Sequence, residues 1–398
     1  MEEIIEKVPQ ENIEQAETPQ PVVEEKKSRI ATRDSGIELL RIFCMIFIIA
    51  HHFACHNGFE FVATDFGFNR FLVQFLYSGG KIGVDVFVLI TGFFMYKSNV
   101  VKFDRIFKLW LQLFTFNIII YLVFLVCGQY EFNWQELLHN LLPISFERNW
   151  FVSAFFVLTL LIPPLNVMIK NLTQKRHLII LIIGTIIWSI IPTLIWDKNY
   201  FFSNWEYNSI IWFIYLYVLG AYVHKYGFGK KEHGAAFYIL LSLAIFVLNC
   251  GATFLVALAG KENKFFFTNR NYLFEMQTVP VLLMSVLLLM GFSKLKIGNN
   301  KVINFISATT FGIYLIHDND IFRVWLWHDV VRGASYQDDP KLILIAIISI
   351  IVIFIACGAI EFIRQLTIEK LYKKPIEALG ARIDTAMHEA MPDKQIIK

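Results

Sequence analysis

The sequence predicts an all-α integral membrane protein, a polytopic bundle of about ten transmembrane helices with N-in/C-in orientation. Three observations predict it. Of 398 residues, 56% are hydrophobic and 17% charged, with a mean hydropathy of +0.53, whereas soluble domains average about 45–50% apolar and about 25% charged residues. Apolar runs of membrane-crossing length recur along the chain, and they are continuous rather than alternating, which excludes a β-barrel. Lysine and arginine are also unequally shared between alternate loops, as topology demands.

Residues 1–35 are polar and acidic, broken by Pro9, Pro19 and Pro21. Such a composition cannot bury a core and is read as a disordered cytoplasmic tail. The first apolar run comes too late for a cleavable signal peptide, so none is expected. Residues 36–370 hold ten expected spans, at about 37–56, 82–97, 106–127, 151–169, 177–196, 208–225, 235–258, 276–292, 302–318 and 342–363. The second is short and carries Asp85; the ninth is polar at Ser307, Thr309 and Thr310. Residues 321–332 read as a further interfacial or re-entrant helix. Residues 371–398 mix apolar and charged residues at helical spacing, a cytoplasmic amphipathic tail suited to the inner membrane surface.

With the N-terminus inside, the cytoplasmic segments flanking these spans hold 21 lysines and arginines and the outer segments 10. That is the positive-inside pattern, and it alternates loop by loop. A plasma or inner cell membrane location, multi-pass with both termini cytoplasmic, follows as the expectation. Cys44, Cys55, Cys127, Cys250 and Cys357 show no metal-ligand spacing and read as small buried hydrophobes, so no metal is expected. Nucleic acid is not an expected partner.

The chemistry concentrates in the first span. It carries Glu38, Arg41, His51, His52 and His56, although ionisable groups in hydrocarbon are costly and face a bundle interior or wet cavity. Ten residues separate Arg41 from His52. Eleven steps of about 100° make three turns plus about 20°, so the two share one helix face about 16 Å apart. His52 suits a general base, and Arg41 an anionic donor such as a thioester nucleotide. Equally, Arg41 can snorkel to the interface and His52 can be a packing residue.

Four further stretches stand out. In Gly80–Phe93, Asp85 could orient a histidine or pair locally with Lys81. In Lys102–Trp110, Arg105 and Lys108 lie three apart at a helix start, spaced to grip phosphates or simply obeying positive-inside bias. Trp150, in Arg148-Asn149-Trp150-Phe151, suits stacking on a sugar ring or an interfacial aromatic belt. Tyr314 and His317, in Phe311-Gly312-Ile313-Tyr314-Leu315-Ile316-His317-Asp318, could hydrogen-bond a substrate or merely pack.

Together these motifs resemble the membrane acyltransferase-3 family. Arg41 followed by ten residues and His52 is similar to its signature. Gly83-Val84-Asp85-Val86-Phe87 through Thr91-Gly92-Phe93 resembles its second-helix motif, with threonine for the usual serine. Trp150-Phe151 through Pro163-Pro164-Leu165-Asn166 resembles its fourth helix, and Phe311 to His317 its late tyrosine–histidine element. The resemblance implies an O-acyltransferase that moves acetyl or another short acyl group from acetyl-CoA or other acyl-CoA to a hydroxyl of a cell-surface polysaccharide or other envelope glycan. It implies His52 as base or acyl relay with Arg41 and Asp85 completing the catalytic set, and Arg41, Arg105 and Lys108 at the donor. Trp150, Tyr314 and His317 would meet the acceptor. Lysine stands at 108 for the second arginine, and Leu109-Trp110 follow where the family has proline. The partners implied are the lipid bilayer, the surface glycan and polysaccharide biosynthesis enzymes. The competing reading is a transporter or flippase for a glycan or lipid-linked sugar, disfavoured because no internal repeat is visible.

Overall fold

The computed structural model describes residues 33–98, 102–196, 210–228 and 233–390. The tail expected over 1–35 lies outside them except for Arg33–Ser35, as do the loop cations Lys198, Lys230 and Lys231. Among the described residues there are helices and loops and no strand.

Helix α1 spans Ser35–His56 and is capped by Asp34, whose Oδ1 accepts from the Gly36 amide at 3.0 Å. Then come α2 (Phe68–Tyr77), α3 (Gly80–Met95), α4 (Phe103–Val126), α5 (Trp134–Leu141) and α6 (Trp150–Asn171). They are followed by α7 (Gln174–Leu194), α8 (Ile210–Tyr226), α9 (Ala235–Ala259) and α10 (Val279–Phe292). The chain ends in α11 (Lys301–Ser307), α12 (Thr310–His317), α13 (Asp320–Trp325), α14 (Leu342–Leu366) and α15 (Ile368–Ala390).

Among the described residues, eight helical stretches are long and apolar enough to cross a membrane: α1, Phe68–Met95, α4, α6, α7, α9, Lys264–Phe292 and α14. Two of the ten expected spans fall outside that set. One is α8, apolar but only 17 residues long. The other is the ninth, which breaks between α11 and α12. There the hydroxyls of Thr309 and Thr310 turn back onto the carbonyls of Ile306 and Ser307, each at 2.8 Å. Such local bonds compete with the helix ladder. The Ser307 hydroxyl meanwhile donates to the Glu38 carboxylate of α1.

At the centre of the bundle α1 and α3 bury Cys44, Ile49, Phe53, Val86, Val88 and Leu89 completely. The flanking helices α9 and α14 instead turn Leu248, Leu255, Ile355 and Ile363 outward, as hydrocarbon-facing helices do. Hydrocarbon supplies no hydrophobic drive between helices, so close backbone approach must hold them together. Gly92 of α3 and Gly220 of α8 provide it. A Cβ on Gly92 would lie 2.1 Å from the Tyr217 carbonyl oxygen, and one on Gly220 would lie 2.2 Å from that of Leu89. Asn166 of α6 locks the same crossing. Its amide donates to the carbonyls of Met95 (2.8 Å) and Ser98, and its Oδ1 accepts from the Tyr217 hydroxyl at 2.7 Å.

The C-terminal helix α15 docks on the start of α4. Glu377 accepts from Lys108 at 2.8 Å, and Asp384 accepts from the Phe103 amide at 3.2 Å. Its root is held by buried Arg364, which donates to both Glu361 oxygens (2.8 and 2.9 Å) and to Glu369 (2.8 Å).

Replacing Gly92 or Gly220 with alanine overpacks this crossing, and overpacking typically costs roughly 1–3 kcal/mol. Either variant is expected to lower the thermal unfolding midpoint in detergent, whereas Gly251→Ala, with open space at its Cβ position, serves as the unshifted control.

Candidate active site

The site forms where the C-terminal end of α1 meets α12. His52 Nδ1 lies 3.0 Å from His317 Nε2, and His317 Nδ1 lies 2.6 Å from the Ile313 carbonyl oxygen. A carbonyl oxygen only accepts, so Nδ1 of His317 carries the hydrogen. Neutral His317 then presents a lone pair at Nε2, which accepts from the Nδ1–H of His52. His52 is left with an unprotonated Nε2. The chain of donors thus selects one tautomer, as carboxylate and carbonyl partners do for catalytic histidines.

A charged network backs this pair. Asp318 is 3.7 Å from His52 Nδ1 and 3.9 Å from His56 Nε2, and it accepts from Arg323 at 3.1 Å. Arg323 also holds Asp320 at 3.1 Å, and Asp320 lies 3.4 Å from Arg148, which is bonded in turn to Glu136. Burial raises the Asp320 carboxyl above its usual range, against the pull of Arg323 and Arg148. Tyr314 is buried among these groups, its ring 6.5 Å from that of His52, and its hydroxyl interacts with Asn149 and Asp318. Asn149 caps α6 through the Val152 amide at 3.2 Å. Trp150, next in the chain, faces the ammonium of Lys81 at 5.8 Å.

His52, Tyr314 and His317 are therefore brought together, with Trp150 linked to Tyr314 through the first turn of α6. Asp85 is not brought to His52. Gly80 and Gly83 are α3 residues that face α1, the Cβ position of Gly83 lying 2.8 Å from the Cys44 carbonyl oxygen. Asp85, two residues on, is turned about 200° away. It accepts from Trp212 of α8 at 3.0 Å, and its Oδ2 is buried without a hydrogen-bond partner. The groups that orient His52 are His317 and Asp318.

Arg41 lies at the far end of the α1 face, 3.4 Å from Glu38. Its side chain remains 34% exposed, which leaves it reachable. Between Arg41 and His52 on that face sit Met45 and Ile48, which with Phe87, Phe151, Phe311 and Tyr314 enclose an apolar cavity of about 30 Å³. Arg105 is exposed, its side chain with no hydrogen bond or ion pair among the described residues, while Lys108 is shared by Asp104 (3.4 Å) and Glu377 (2.8 Å). Asp318, Arg323 and Asn149 were missed as site residues. Asp318 and Asn149 each stand beside a residue that was singled out, and that adjacency was the available signal.

A multi-pass helical bundle with a tautomer-selected imidazole at one end is built as a membrane-embedded transfer enzyme. The family model described as an acyltransferase domain matches residues 34–362, and the chain belongs to that acyltransferase-3 family of membrane acyltransferases. No curated protein and no solved structure matches the chain.

His317→Leu, which removes the acceptor for His52 Nδ1–H, is expected to slow acyl transfer by about 100-fold or more, the scale of a misplaced base. His317→Gln, which keeps an acceptor oxygen, should retain more. Asp85→Asn preserves the Trp212 contact and should leave most of the rate; an Asp85→Asn loss as deep as that of His317→Leu would place Asp85 in the chemistry instead.

Proposed function

We propose that the protein is an O-acyltransferase of the plasma or inner cell membrane that moves an acetyl or other short acyl group from acyl-CoA to a hydroxyl of a surface glycan. The observation that carries the reading is the 3.0 Å contact of His52 Nδ1 with His317 Nε2, whose Nδ1 is held by the Ile313 carbonyl at 2.6 Å, because that chain of bonds leaves the lone pair of His52 at Nε2. On this reading the Arg41 end faces the cytoplasm, both termini lie there, and the His52 end faces outward.

The donor docks near Arg41, Arg105 and Lys108. To bind a phosphate, Lys108 must leave Glu377. That carboxylate is 45% exposed, and exposed ion pairs are worth only about 0–1 kcal/mol, so a polyphosphate competes easily. The thioester carbonyl then approaches His52 along the Met45–Ile48 face of α1. His52 Nε2 takes the proton of the acceptor hydroxyl, its oxygen forms the ester bond, the carbon–sulfur bond breaks and the CoA sulfur leaves as thiolate to be protonated. The same lone pair serves as nucleophile if the acyl group rests on His52 before reaching the hydroxyl. Trp150 meets the acceptor at the outer mouth, Tyr314 and His317 stand behind it and position His52, and Asp85 fixes α3 against α8 from inside. Enzymes of polysaccharide biosynthesis supply the acceptor.

Membranes containing the protein, given acetyl-CoA labelled on the acetyl group and crude envelope glycan, are expected to place label in base-labile ester, and His52→Ala membranes are not. Equal labelling by His52→Ala would overturn the mechanism. Arg105→Ala and Lys108→Ala should each raise the KM for acyl-CoA about tenfold, since a charge-assisted hydrogen bond is worth about 1.5–3 kcal/mol. Glu377→Gln, which releases Lys108, should lower it.

A further inference from the structure

The cysteines show no metal-ligand spacing, yet the fold gathers a ligand set of other residues that crosses from α1 to the turn after α12. His52, His56 and Asp318 place one ligand atom each within 4.8 Å of one another. Asp318 is the hub, 3.7 Å from His52 Nδ1 and 3.9 Å from His56 Nε2. Two imidazoles and a carboxylate are the donors of three-ligand zinc sites, which keep a fourth position open. Ligands at zinc distances of about 2.0–2.2 Å stand about 3.4 Å apart in a tetrahedron, so rotations of these side chains suffice to close the set. We propose that His52, His56 and Asp318 form a binding site for a borderline-soft divalent cation such as Zn²⁺, and that its occupancy switches His52 off.

The surroundings allow the ion. His56 is the entry point, its side chain 31% exposed, while Asp318 is 5% exposed. Arg323 holds Asp318 Oδ1, but its second nitrogen already pairs with Asp320 at 3.1 Å. The guanidinium therefore keeps a carboxylate partner when Asp318 turns to a metal, and an ionised carboxylate has about four acceptor positions to share.

The consequence for His52 follows from its tautomer and rests on the reading of His52 as the base; the binding does not. In the metal-free site Nδ1 carries the hydrogen and Nε2 the lone pair. The atom that faces Asp318 is Nδ1. A metal there requires the lone pair at Nδ1, which puts the hydrogen on Nε2, and a ring protonated at Nε2 cannot accept the proton of a hydroxyl. The His317 hydrogen bond is lost in the same event. Zn²⁺ and catalysis thus compete for one imidazole.

The test uses tag-free full-length protein in nanodiscs, with ZnCl₂ and CoCl₂ as probes. One equivalent of Co²⁺ is expected to bind with the visible d–d spectrum of low coordination, displaced by Zn²⁺. His56→Ala, or His56→Gln if alanine folds poorly, is expected to weaken binding at least about tenfold, the scale on which lost metal-site partners act. In the labelled acetyl transfer assay Zn²⁺ should abolish wild-type activity, and the His56 variants should keep the metal-free rate while needing at least about tenfold more Zn²⁺ for half inhibition. No stoichiometric Co²⁺ binding, or binding equally tight in both His56 variants, overturns the site. Tight His56-dependent binding without inhibition overturns the switch and leaves the site. If no transfer is seen under any condition, the acyltransferase reading fails while the spectrum still decides the metal.

Discussion

The hydrogen bond between His52 and His317 joins helices whose contact residues stand 265 positions apart, and the rest of that end of the bundle is arranged around it. His317 is completely buried. A buried imidazole with two nitrogens needs one donor and one acceptor contact. The Ile313 carbonyl satisfies the first and His52 the second. Neither partner can be moved without stranding a polar atom in an apolar interior, a cost of about 1–3 kcal/mol. The geometry that selects the tautomer of His52 is thus also the geometry that satisfies His317, so positioning and stability come from the same contact.

Burial of this pair depends in turn on the break between α11 and α12. A continuous helix over 302–318 would keep its backbone bonds internal. The serine and threonines at 307, 309 and 310 interrupt it, and Gly312 admits Glu361, whose carboxylate would stand 2.4 Å from a Cβ there. Glu361 is paired with Arg364 inside the bundle, both less than 5% exposed. A buried ion pair is weak evidence for stability but a strong constraint on register, because breaking it leaves a charge unpaired. Here it fixes α14 to the break and roots α15, which reaches Lys108. The Arg41 end and the His52 end are therefore joined by one short helix, α12.

Most of the helices were legible because continuous apolar runs with polar flanks have one reading in hydrocarbon. The shared face of Arg41 and His52 was equally legible, since helical angles accumulate predictably along one element. What was not legible crosses elements. That Asp85 turns to Trp212 depends on which face of α3 meets α1, and Gly83 decides that by close approach, not by hydropathy. Asp318 looked like the end of a span, although its carboxylate gathers His52, His56 and Arg323 from three directions. The short amphipathic α2 lay between the apolar runs and was not read; α15 was read as an amphipathic stretch for the membrane surface, and its charged face is instead bonded to the start of α4.

The face of α1 between Arg41 and His52 explains how two polar ends can coexist in one bundle. The cavity there is apolar and of about 30 Å³, large enough by volume to admit water, since about 10–15 Å³ of such space suffices for one. A water needs two or more polar partners to remain in such a space, and of the lining residues only Tyr314 carries a polar side-chain group. The segment is a dry plug. The charged groups sit at either end, and the space between them is apolar. On the proposed reading the sidedness follows from this: charged donor groups would stay at Arg41, the proton acceptor at His52, and the apolar acyl group is the part of the chemistry suited to the space between them.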